Sequence, residues 1–156
     1  MSSSAPLPAR FSPAIIELLR KAGWHENRSV LATLRFADGF ERLQAVDRVL
    51  DEFGGLHIAE CGRGIDWAAN DVQIDPWVCD CGREELDHFS QKMKIKLHPL
   101  GDFCNGHGSL IMDECGAVYA FSNVDFTPFL PKLAESFDDA LDRLLLGKNW
   151  LQKPAS

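Results

Sequence analysis

Cys79-Asp80-Cys81 and Cys104-Asn105-Gly106-His107 are the groups in this chain most suited to chemistry, because two thiolates and a Cys/His pair suffice for tetrahedral zinc. Their spacing argues against it. A Cys-x-Cys pair is tighter than the usual zinc knuckle, and the second group reads as a loop turning at Gly106. As a redox couple, Cys79 and Cys81 lack an adjoining base to lower a thiol pKa, and Asp80 between them raises it. Cys104 or Cys115 with His57, His98 or His107 would make a nucleophile and base. Glu114 disfavours a thiolate at Cys115, however, and no nucleophile motif surrounds either cysteine, so both read as small core or turn residues. His25, His57 and His88 stand at ordinary polar positions. Gly62-Arg63-Gly64 lacks the glycine spacing and the lysine of a phosphate loop. No catalytic residue, cofactor or metal is expected. The alternative is a zinc-binding or thiol-dependent enzyme built on Cys79, Cys81, Cys104 and His107.

Charge is the more informative signal. The chain of 156 residues carries a net charge of −7, and residues 60–87 hold eight acids against two bases, so most of the excess lies in one segment. Nucleic-acid binding needs a basic footprint that displaces counterions, which this chain lacks. The acidic stretch is either a solvated loop region or a surface for a basic partner, since charge of one sign steers association. Trp67 and Trp77 lie within it. Burial in a core is the commoner fate of tryptophan, but one exposed beside Asp66, Asp75 or Asp80 would anchor an interface. The candidate contact residues are therefore Asp66, Trp67, Asp71, Asp75, Trp77, Asp80, Glu84 and Glu85, joined by Asp102 and Asp125. Five cysteines without disulfide spacing point to reduced thiols and a cytoplasmic protein. No apolar run is long enough to span a membrane.

These residues must be positioned by a scaffold whose local signals are clear. The pattern predicts a helix over 12–22, with Ser12 as N-cap, Pro13 at its first position, Phe11 and Ile16 as a hydrophobic staple and Gly23 as terminator. A short helix is expected within 29–41, broken at Asp38-Gly39, and a firmer one over 42–53, stopped by Gly54-Gly55. Strands are expected over 56–60, 72–74, 96–100, 109–112, 117–121 and 124–126, with a helix over 84–93. Asp113-Glu114-Cys115-Gly116 turns a hairpin. Ser136 caps a last helix whose apolar positions are Phe137, Ala140, Leu141, Leu144 and Leu145, with Gly147 beyond it. Helices, then five to six strands, then a helix indicate an α+β fold. Residues 1–10 and 149–156 read as tails around one domain over 11–148.

Several blocks resemble the third subfamily of the SUKH immunity proteins. Phe11-Ser12-Pro13 and Leu18 through Trp24, with Arg28 and Val30, are similar to its N-terminal signature. Ala45-Val46 and Val49 to Leu56 resemble its central block. His98-Pro99-Leu100-Gly101, the hairpin from Leu110 to Tyr119, and Asp139-Ala140-Leu141 to Gly147 resemble its C-terminal half. The resemblance implies a central mixed or antiparallel sheet flanked by N- and C-terminal helices. It also implies a non-enzymatic partner of a cognate bacterial polymorphic toxin, often a nuclease or nucleic-acid deaminase, or an intracellular regulatory scaffold on the same fold. It supplies no catalytic residue or cofactor. Residues 57–95 depart from the family pattern except around Asp75-Pro76, and this individual stretch contains the acidic segment. A shared scaffold that meets different partners must place specificity in such segments.

Overall fold

Short apolar strands joined by turns along the second half of the chain build a meander, seen in the computed structural model, which describes residues 6–36, 39–59, 71–104, 106–122 and 130–146. The strands are β1 (His57–Ile58), β2 (Val72–Gln73), β3 (Leu97–Phe103), β4 (Gly108–Asp113), β5 (Val118–Ser122) and β6 (Lys132–Ala134). They lie side by side in chain order, every neighbouring pair antiparallel. Around them sit α1 (Leu7–Arg10), α2 (Pro13–Lys21), α3 (Gln44–Phe53), α4 (Arg83–Met93) and α5 (Phe137–Leu146). The fold is α+β, and its sheet is antiparallel.

The two faces of the sheet differ. Ile58, Val72, Leu100, Phe103, Leu110, Met112, Val118 and Leu133 on one face join apolar residues of α1, α2, α3 and α5 in the main core. On the other face, Leu97, Ile111 and Tyr119 pack with Leu86 and Phe89 of α4 in a smaller cluster. Burial of this kind contributes roughly 25 cal/mol per Å² of apolar surface removed from water. At the β1–β2–β3 end, the second face carries polar residues instead.

Local chemistry sets the element ends. The Ser12 hydroxyl accepts the Ile15 N–H at 3.5 Å, and Gly23, at φ +113°, closes α2. There the Trp24 N–H reaches the Leu19 carbonyl at 2.9 Å and the Gly23 N–H reaches that of Arg20 at 3.1 Å, satisfying carbonyls the helix leaves open. Asp113 is buried in the β4–β5 turn, yet it accepts hydrogen bonds from the N–H groups of Cys115 and Ala117 and the Tyr119 hydroxyl, at 2.8, 3.0 and 2.8 Å. Burial, with the bond to Asp113, pushes the Tyr119 hydroxyl pKa upward. The Ser136 hydroxyl accepts the Asp139 N–H at 3.2 Å and starts α5.

Several expectations change. Among the described residues of 29–41 the helical structure is a 3-10 turn at Leu31–Thr33, where the Asp51 carboxylate takes the Leu31 N–H at 3.0 Å and the Ser29 hydroxyl at 2.9 Å. The helix expected from 42 begins at Gln44; Leu43 is extended, and the Arg42 guanidinium pairs with Asp47 at 3.0 Å. β6 was not expected, while the strand expected over 124–126 lies outside the described residues, as do Gly62-Arg63-Gly64, Gly147 and 149–156. In the stretch read as an N-terminal tail, Leu7 is buried in α1 and Arg10 is tied to Asp138 and Glu52.

Candidate functional site

Strand register assembles the polar end of the second face. His57 stands opposite Gln73, Gln73 opposite Asp102, and Asp102 opposite Ser109, so all four share that face. Asp71, two residues before Gln73, adds a buried carboxylate there, in contact with His57 Nε2 at 2.7 Å. The Asp71 carbonyl also accepts the Cys104 N–H at 3.0 Å, tying down the loop after β3. Close approach of the strands needs Gly101, where a Cβ would run into the Gln73 carbonyl. Asp102 is half-buried among these groups. Burial, and then repulsion from Asp71, Asp75 and Asp80, push its carboxyl up to about 6, with His57 opposing.

Beside this face, a 3-10 turn at Pro76–Val78 holds Trp77. Asp75 caps the turn by accepting the Trp77 N–H at 3.0 Å, and Pro76 packs inward. Trp77 is 51% exposed, the less common of the two fates weighed for it and the one an interface anchor requires. The Arg35 guanidinium lies 4.7 Å from its ring centroid. Asp80 is exposed and follows the turn, and Glu84 and Glu85 are exposed in the first turn of α4, where the helix dipole favours anions. Glu85 also accepts the Gly82 N–H at 3.4 Å, so part of its role is to cap α4.

The structure thus gathers Asp75, Trp77, Asp80 and Asp102 in one region, with Glu84 and Glu85 at the adjoining helix start. Asp71 is corrected from a surface contact to a buried partner of His57. Asp66, Trp67 and Asp125 lie outside the described residues. The pairing of His57 with Asp71, a histidine read from sequence as an ordinary polar position, and the stacking of Arg35 are not foreseen. Only the strand register could have found the first, and no sequence signal marks the second.

The thiols occupy different surroundings. Burial pushes the Cys79 thiol up to about 11 and Cys81 higher still, the opposite of what a nucleophile or metal ligand requires. Cys104 and His107 are exposed in the β3–β4 loop and Cys115 is exposed at the hairpin tip. His98 is buried between the rings of Phe36 and Phe40, its Nδ1 2.7 Å from the Pro99 carbonyl oxygen. Among the described residues, no three of His, Cys, Asp and Glu come together as a metal site. Nor is any helix there long and apolar enough to cross a membrane.

Compared with known proteins, residues 11–147 match the SUKH-3 immunity protein family. No curated protein and no solved structure matches the chain.

Proposed function

This chain belongs to the SUKH-3 immunity protein family, which points to a toxin-neutralising function, and we propose that it works by presenting the acidic end of its sheet to a basic surface of its cognate toxin. The observation that carries this reading is the convergence of Asp75, Asp80 and Asp102 beside an exposed, capped Trp77. Carboxylates around an aromatic anchor suit a partner rich in arginine and lysine, and their summed field speeds encounter. A nuclease or another toxin that acts on nucleic acid needs a positive groove for phosphate, so an acidic protein competes for that groove by charge and bulk. The mechanism is occlusion in the cytoplasm, with no catalytic step, metal or cofactor and no role for nucleic acid or membrane.

Co-expression with the cognate toxin tests this. The double variant Asp80→Lys/Glu84→Lys alters two exposed carboxylates and leaves the buried Asp71–His57 pair alone. Cells carrying it should lose protection, and the two proteins should no longer co-purify in moderate salt. Full protection by a folded double variant would remove the acidic surface from the mechanism.

A further inference from the structure

Trp77 is open to solvent but not bare, because Arg35 covers one face of its ring. Arg35 is exposed and sits in irregular chain just after the Leu31–Thr33 turn. Among the described residues no ion pair fixes it, and its guanidinium rests on the tryptophan ring. Trp77, by contrast, stands on an anchored backbone: Asp75 caps its turn, and the adjoining Pro76 is buried. An exposed indole on an anchored turn, in an acidic setting, is therefore covered by a guanidinium that no ion pair among the described residues holds.

We propose that the Trp77 face is a seat for a guanidinium, that Arg35 is its intramolecular occupant, and that binding replaces Arg35 with an arginine of the toxin. This rests on the reading of the acidic surface above and names the chemistry that surface recognises. The ring quadrupole draws a cation to its face, and an exposed stack favours it by only about two- to fivefold, so Arg35 can be displaced. Arginine suits the seat better than lysine. Its planar group stacks on the indole, and its fork can pair with carboxylates such as Asp75 and Asp80 on either side of the turn.

The test uses the whole protein and two acetylated, amidated peptides, one with alternating arginine and glycine and one with lysine in place of arginine. Binding is followed at low ionic strength through the Trp77 indole N–H resonance, assigned by its loss in Trp77→Leu. The arginine peptide should shift that resonance saturably and bind more tightly than the lysine peptide. Arg35→Gln should tighten arginine-peptide binding by about two- to fivefold, and Trp77→Leu should weaken it by a similar factor. The proposal is overturned if Arg35→Gln leaves the affinity unchanged or lowers it, or if the peptide binds without moving the Trp77 signal. In either case, salt-dependent binding lost on Asp80→Lys/Glu84→Lys would leave the acidic surface standing. Absence of binding by both peptides would overturn the seat and the acidic surface together.

Discussion

Asp113 is buried and Asp102 half-buried, and they differ in how they are satisfied. Asp113 is satisfied by three donors and serves the hairpin. Asp102 instead faces Asp71, Asp75 and Asp80, and its carboxyl titrates at about 6. An unfolded chain would titrate that group at about 3.9. The folded protein therefore holds the proton more tightly, and this stabilises it in acid. The contribution fades as pH rises from about 4 through 6, leaving a repulsive carboxylate at neutral pH. Groups kept in such discomfort cluster at functional sites, where an incoming cation relieves them. Asp102→Asn should accordingly raise the melting temperature at pH 7.5, with the advantage shrinking towards zero near pH 4. Thermal melts across that range check it, and a variant no more stable at neutral pH would refute the repulsion.

Among the elements, the clearest signals were local. Ser12, Pro13 and Gly23 bound α2, Ser136 starts α5, and Asp113 with Gly116 turns the β4–β5 hairpin, all within a few residues of chain. What stayed hidden depends on distant partners. Asp51 takes the Leu31 N–H from twenty residues away. α1 is fixed by Arg10, whose guanidinium takes Asp138 in a bidentate pair at 2.9 Å and Glu52 at 3.1 Å, 128 and 42 residues along the chain. Likewise, the acidic segment was legible as charge. Which of its carboxylates face water was not, because that follows from the pairing of β1, β2 and β3. Arg10→Met keeps the alkyl packing near Phe11 and Phe53 but leaves Glu52 with the Trp24 indole N–H and Asp138 partly solvated, so it should cost roughly 1–3 kcal/mol. Urea unfolding with an unchanged slope would measure this. A loss under about 0.5 kcal/mol would mean the clamp does not hold α1.

At the scale of the whole molecule, the sheet separates two tasks. One face carries the main core on α1, α2, α3 and α5, while the other is covered by α4 at one end and polar at the β1–β2–β3 end. A scaffold of this kind can be shared across a family when, as proposed here, the residues that build it are not those offered to a partner. On the proposed reading, specificity rests on a small set of charges around Trp77, and charge acts first on the rate of encounter. The most direct measurement is stopped-flow association with the cognate toxin across ionic strength, comparing the native chain with Asp80→Lys/Glu84→Lys. The native rate should fall steeply with salt, and the variant should associate about tenfold more slowly at low salt with a flatter dependence. Equal rates and equal salt slopes for the two proteins would contradict the account.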